Sequence, residues 1–355
     1  MVLTGEVNQV MHIAIRADAS TEIGAGHIMR CLALAEELKE RGAEVFFICR
    51  ELEGNLCAQI VAQQFKLHRL PATILSEKDW HLDAEQTIAA CTNSYSRIDW
   101  IIVDHYHLDA KWESSVRDVA HKVMVIDDLA NRNHSCDALL DQNYLPGCEN
   151  RYATLVPSSC QILLGSKYAL LRHEFKSMRK HLEPHIPGLK KILVFFTAGD
   201  DKGETIKAMQ GIQMFGNIEQ VDVVIGQSNL NNKEINQICD KLHWGLHSNI
   251  NYMPKLIAQA DLAIGAGGSS NWERCALGVP ALVTILADNQ EPIAEALGRA
   301  GVVFNLGWSG NLKAQDYANA LGTLSQDRLK AMSEKALAIV DARGSERMAD
   351  ILLAA

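Results

Sequence analysis

Short apolar runs alternate with helical patterns along almost the whole chain, and the series occurs twice. In the first half the runs at 12–16, 44–49, 66–70, 99–104, 122–127 and 138–141 read as strands. Helical periodicity fills 27–41, 55–64, 84–95 and 111–120 between them. In the second half strands are expected at 191–196, 220–225, 249–252, 261–265, 281–285 and 302–304. Such alternation requires right-handed βαβ crossovers and a parallel sheet covered by helices on both faces. A chain of 355 residues exceeds what one hydrophobic core usually supports. Two α/β domains with a cleft between them are therefore expected, and a ligand is expected in that cleft. The charged stretch from Arg172 to Gly188, closed by Pro184 and Pro187, reads as the connection. The division is then 1–175, a linker at 176–189, 190–330, and a terminal segment 331–355.

The balance of charge narrows the partners. A formal net charge of −9 disfavours nucleic acid and anionic membrane surfaces, which select basic proteins. A phosphorylated ligand must then be held by backbone dipoles and a few Lys or Arg side chains. No apolar run approaches the 18 or so residues of a membrane span, and the N-terminus has no basic start followed by an apolar block. Nine cysteines without a Cys-x-x-Cys pair read as reduced thiols, so a cytoplasmic location is expected. Residues 1–10 read as a polar extension, with Met11 an alternative start. A monomer is the expected state.

In open parallel sheets, ligands bind beyond the carboxyl ends of the strands. Polar residues gather there. The first strand runs into Arg16 and Asp18, then a glycine-containing turn with Gly24, Gly26 and His27 opens a helix that Gly42 terminates. An imidazole at a helix N-terminus is kept neutral by the dipole, which suits a general base. The alternative is a histidine that only caps the helix. Dinucleotide binding is disfavoured, because Met29 stands at the third glycine position and the second strand ends in Cys49 and Arg50 rather than an acid. A further strand ends in Asp104, His105, Tyr106 and His107, and another in Asp127 and Asp128. His105 and His107 lie two apart on what reads as extended chain, where side chains face opposite ways, so a metal pair is not expected. A magnesium site at Asp104, Asp127 and Asp128 is the alternative reading, but capping and sugar hydroxyls are the commoner duties of such acids. No metal and no cofactor are expected.

The second half carries the sharper local signal. Gly265, Gly267, Gly268, Ser269 and Ser270 turn directly from a strand into a helix that Gly278 ends and Pro280 keeps from resuming. Backbone N–H groups and hydroxyls in such a loop suit phosphate oxygens, and Glu273 one turn on suits a ribose diol. A plain helix cap with close backbone packing is the alternative. It is not a P-loop, since no Gly-Lys-Ser/Thr follows. Asn289 and Gln290 precede another helix, started by Pro292.

These motifs together resemble the pseudaminic acid pathway hydrolase family, which acts on UDP-2,4-diacetamido-2,4,6-trideoxy-β-L-altropyranose and is related to the spore-coat polysaccharide protein SpsG. The matching residues are Arg16, Asp18, Gly24, Gly26, His27 and Arg30; Asp104, His105 and Tyr106; Asp127 and Asp128; Cys136, Asp141 and Asn143; Gly165, Tyr168 and Arg172; and Gly267 to Ser270, Trp272, Glu273, Gly278, Pro280 and Asp288 to Gln290. They keep the family's order across nearly the whole chain. The resemblance implies a GT-B fold: two Rossmann-like domains with parallel sheets facing across a cleft, as in the UDP-GlcNAc transferase of peptidoglycan synthesis. It implies a terminal helix, near 328–352, packed back on the first domain. It implies inverting hydrolysis with His27 as base, a sugar site at Arg16, Asp18, Gly26, Tyr106 and Asn143, and UDP held by Gly267, Gly268, Ser269, Ser270, Glu273, Asn289 and Gln290. The loop Phe196–Asp200 departs from the family pattern, with Thr197 and Ala198 where Gly-Gly is usual. A GT-B glycosyltransferase and a non-catalytic nucleotide-sugar binder are the competing readings.

Overall fold

The computed structural model describes residues 10–73, 79–182, 188–199, 201–226 and 229–354. Residues 1–9, with most of the polar extension, lie outside it, as do Pro184, Pro187 and Asp200. Two parallel sheets organise the chain. The first contains β1 (His12–Ala17), β2 (Glu44–Arg50), β3 (Lys66–Leu70), β4 (Ile98–Asp104), β5 (Ala120–Ile126), β6 (Ala138–Asp141) and β7 (Gln161–Leu164), in the order β3-β2-β1-β4-β5-β6-β7. The second contains β8 (Lys191–Phe195), β9 (Gln220–Ile225), β10 (Gly245–Ser248), β11 (Leu262–Ala266), β12 (Ala281–Ile285) and β13 (Val303–Trp308), in the order β10-β9-β8-β11-β12-β13. Central strands are apolar and buried on both faces, as Ile13, Ile15, Ile101, Ile102, Ile264 and Leu282 show. Burial of this kind is the main stabilising term for a parallel sheet.

Each sheet reverses its winding between neighbours that are distant in sequence: β1 beside β4, and β8 beside β11. Loops leave the carboxyl ends of such neighbours in opposite directions and open a crevice. The register places Ala17 opposite Asp104, so the β1 and β4 ends lie side by side. Both glycine loops singled out from the sequence leave strands at these reversals.

Three local expectations are corrected. The strand expected at 249–252 lies earlier, at Gly245–Ser248, an edge strand whose half-exposed Gly-Leu-His-Ser sequence carries no apolar run. Asn249, at φ 52°, ends it. Strand β7 was not expected; it is a four-residue edge strand, and short edges leave little periodicity to read. The charged stretch after Arg172 begins as a helix, His173–Lys180, rather than as linker. Its Phe175 is fully buried in the second domain's core, and Arg179 donates to the carbonyls of Ala276 and Leu337 at 2.7 Å each.

The C-terminal helices cross between domains. Helix Gln326–Ile339 packs on helix Ser270–Ala276, while helix Gly344–Leu353 lies against helix Gly26–Glu40. Met348, Ala349 and Leu352 complete the first core, and the Trp100 indole donates to the Leu352 carbonyl at 3.0 Å. Among the described residues, no helix is long and apolar enough to cross a membrane.

Candidate active site

On the first domain the site begins at helix Gly26–Glu40. His27 and Arg30 are one turn apart on the same face and meet the same carboxylate, Asp104 at the end of β4. His27 Nδ1 lies 2.5 Å from Asp104 Oδ1. Arg30 grips that carboxylate with two bonds, Nε to Oδ2 at 2.6 Å and Nη2 to Oδ1 at 2.7 Å. Its remaining arm reaches Asp128 Oδ2 at 3.3 Å. Burial pushes the Asp104 carboxyl up, but the Arg30 guanidinium and His27 outweigh it and hold Asp104 well below the usual carboxylate range. A carboxylate against Nδ1 fixes the imidazole proton on that nitrogen and leaves the Nε2 lone pair as the basic one. The Tyr106 ring stands edge-on to His27, with centroids 4.7 Å apart. Its hydroxyl is raised well above the ordinary phenol range by burial and then by the Asp128 charge, so it remains an O–H donor.

Beneath this pair lies a buried ionic network. Arg16 is fully buried, and its five N–H donors all have partners: Asp18, Asp83 and the Ile48 carbonyl. Asp83 also takes Arg50 Nη2 at 2.7 Å and the Trp112 indole at 2.9 Å. Asp18 accepts the Arg50 backbone N–H at 2.7 Å, and His105 Nε2 lies 3.5 Å from it. The resemblance put Arg16 and Asp18 in the sugar site. In the structure Arg16 bonds both Asp18 and Asp83, and Asp18 also meets the Arg50 N–H and His105, which ties the β1, β2 and β4 ends together. His105 and His107 are corrected as well: β4 stops at Asp104, the next residues turn, and the two rings come within 5.7 Å. Both His105 nitrogens are engaged, since Nδ1 accepts the His107 N–H at 3.1 Å.

Each strand-end aspartate has arginine partners. Arg132 Nη1 reaches Asp127 at 2.7 Å and Arg151 Nη1 reaches Asp141 at 2.8 Å. Asp141 is nevertheless pushed up to about 6 by burial, with the Asp128 and Asp127 charges adding to it. Asn143, buried two residues past β6, donates its backbone N–H to Asp141 at 3.0 Å. No group of three His, Cys, Asp or Glu side chains among the described residues is placed to hold a metal ion.

Across the crevice stands the loop after β11. Gly265, near the end of β11 itself, is required, because a Cβ would lie 2.1 Å from the Phe195 carbonyl oxygen. Beyond it Gly267 donates to the Thr284 carbonyl at 3.1 Å, and Ser269 and Ser270 open helix Ser270–Ala276. Glu273 lies 3.9 Å from Arg172 Nη2, and burial raises its carboxyl above the ordinary value. Gln290 is part of the scaffold, accepting the Leu286 N–H at 3.0 Å. Besides the C-terminal helices, the two sides of the crevice also meet through their loops. Asn289 Nδ2 donates to the Tyr106 hydroxyl at 3.2 Å. A Cβ on Gly26 would stand 3.6 Å from Ser269 Oγ, so the His27 turn faces the serine loop at contact distance. A Cβ on Gly199, next to Thr197 and Ala198, would come within 3.5 Å of the Thr21 carbonyl.

His27, Tyr106, Gly26, Ser269 and Asn289 thus converge on one crevice, and Asp104 and Arg30 join them. Sequence reasoning missed the last two as partners of His27. The i, i+3 spacing of His27 and Arg30 was an available signal, whereas Asp83, deep in the network, gave none.

No family model matches this chain. It is similar to a UDP-2,4-diacetamido-2,4,6-trideoxy-β-L-altropyranose hydrolase from Campylobacter jejuni, 26% identical over 298 residues, covering 82% of this chain and 97% of that protein. It is also similar to the spore coat polysaccharide biosynthesis protein SpsG of Bacillus subtilis, 24% identical over 310 residues, covering 84% of each. Among solved structures, MurG from Acinetobacter baumannii superposes with a TM-score of 0.65 at 13% identity, covering 97% of this chain and all of that one. Two parallel sheets, each reversed at its middle, and this superposition establish the GT-B fold. In sequence the chain is thus similar to the altropyranose hydrolase and to SpsG, each over more than four fifths of its length.

Proposed function

We propose that this protein is a UDP-sugar hydrolase that releases UDP from UDP-2,4-diacetamido-2,4,6-trideoxy-β-L-altropyranose by attack of water at the anomeric carbon, a step of pseudaminic acid biosynthesis. The observation that carries the reading is His27, held through Nδ1 by Asp104, on a turn that meets the Ser269 loop of the other domain. The near-complete coverage of the Campylobacter jejuni hydrolase supports it.

In this reading the Gly267–Ser270 loop takes the diphosphate, with backbone N–H groups and hydroxyls in place of a cation, and Glu273 takes the ribose diol. His27 Nε2 accepts a proton from water as the water oxygen bonds to the anomeric carbon. The bond from that carbon to the phosphate oxygen breaks, and UDP leaves with its electron pair. UDP is already a good leaving group, so one base, one positioned water and stabilisation of the departing charge are sufficient. Attack opposite the leaving group inverts the anomeric centre. Tyr106 borders the sugar, and Asn289, bonded to it across the crevice, belongs to the UDP side.

The test is product analysis with the nucleotide sugar, no acceptor, and EDTA present. Free UDP and free sugar with inverted configuration are expected. Absence of UDP release until an acceptor is supplied would instead favour a glycosyltransferase.

Glu273→Ala tests where the nucleotide sits. Ground state and transition state share a ribose contact, so the variant is expected to raise KM about tenfold and to weaken UDP inhibition in parallel, with kcat changed less. A collapse of kcat with UDP affinity unchanged in calorimetry would place Glu273 at the reacting centre.

A further inference from the structure

The His27 carboxylate partner is shared, and the sharing has a direction. Asp104 is buried, and its oxygens accept from His27 Nδ1, from Arg30 Nε and Nη2, and from the Cys31 thiol at 3.6 Å. A buried carboxylate facing an imidazole alone stabilises the imidazolium strongly, and a histidine held protonated is no base at neutral pH. Here the bidentate guanidinium takes up much of that negative charge. Among the described residues, the titratable and charged groups linked to His27 directly or through Asp104 and Arg30 are Arg30 and Cys31 from its own helix, Asp104 from β4, Tyr106 from the turn after β4, and Asp128 from the turn after β5. Among them Arg30 is the one cation, set between two carboxylates and only 7% exposed.

We propose that Arg30 is a positioning residue that keeps His27 available as a proton acceptor, by occupying the Asp104 carboxylate that would otherwise hold the imidazole in its charged form. The same fork fixes the carboxylate's plane, so that Oδ1 meets Nδ1 and the basic nitrogen is always Nε2. Arg30 touches neither the reacting atoms nor the nucleotide in this scheme and acts through Asp104. The inference deepens the hydrolase reading and rests on it for its catalytic meaning, but its electrostatic content is measurable without catalysis.

The experiment follows the His27 ring proton by NMR titration of the full chain, with the resonance assigned by its loss in His27→Asn. Arg30→Met removes the cation, Arg30→Gln removes it while keeping a donor, and Arg30→Lys keeps the charge without the fork. An opposite charge within 4–6 Å typically shifts a titration by about one to three units. Loss of the cation is therefore expected to move the His27 midpoint up by about one unit or more in the Met and Gln variants, with Lys remaining near the parent. If Arg30→Met does not fold, Arg30→Gln carries the test. A midpoint that stays in place or moves down in the charge-free variants overturns the proposal. The acidic limb of kcat/KM against pH is expected to move up with the NMR midpoint, since that limb reports the free enzyme's base. An NMR shift with an unmoved kinetic limb would uphold the role of Arg30 and remove His27 as the base, so the two readings fail separately.

Discussion

His27→Asn is expected to lower turnover by about 10²- to 10⁴-fold, the usual contribution of a positioned general base, while UDP affinity in calorimetry stays close to that of the parent. Asparagine is the informative replacement because its amide nitrogen occupies nearly the position of Nδ1 and can still donate to Asp104. The Asp104–Arg30 pair therefore keeps its third partner, and helix Gly26–Glu40 keeps its seat. What is lost is Nε2 alone. Turnover within about tenfold of the parent would remove His27 from the base role. Loss of UDP binding in the same variant would mean that the turn carrying His27 had been disturbed.

The largest effect on stability is expected at Asp83, not in the crevice. Asp83 is fully buried and accepts from Arg16, Arg50 and the Trp112 indole, with the Thr87 hydroxyl 3.4 Å away. Asp83→Ala leaves the buried Arg16 guanidinium with Asp18 as its carboxylate and takes from the buried Arg50 guanidinium the carboxylate it bonds. Removing one partner of a buried ionic network typically costs about 3–5 kcal/mol, because the stranded charge keeps its desolvation penalty. Urea denaturation followed by circular dichroism is the measurement, and a loss below about 1 kcal/mol would show that water reaches the network. The same network fixes an acid dependence. Burial pushes the Asp83 carboxyl up, but Arg16 and then Arg50 outweigh it and hold it below the ordinary range. A depressed carboxyl contributes stability that is present above its unfolded value, near 3.9 for aspartate, and is lost as pH falls toward the folded one. The parent is therefore expected to lose this contribution only in strong acid, and Asp83→Ala to lack it throughout.

Much of the fold was legible because it is local. Strand and helix periods in the central elements depend on side chains within one or two turns of each other, and the central strands lie where the apolar runs put them. The two glycine loops were legible for the same reason, since Gly42 and Gly278 stop helices by their own backbone freedom. Pro292 likewise stands in the first turn of helix Glu291–Ala300. Edge strands were harder to read. Gly245–Ser248 and Gln161–Leu164 bury little, so neither carries the pattern that marks β1 or β11.

The sequence by itself determined the alternation, the presence of His27 at the start of a helix, and the serine loop at the start of another. Tertiary structure alone decided what each polar residue faces. Asp104 lies 77 residues from His27, and only the adjacency of β1 and β4, with Ala17 in register with Asp104, brings them together. Arg16 and Tyr106 look alike as strand-end polar residues in the sequence. Yet Arg16 is closed inside by Asp18 and Asp83, while Tyr106 reaches Asn289 of the other domain. Strand order and register are set by the packing of whole layers, and no stretch of neighbouring residues contains that information.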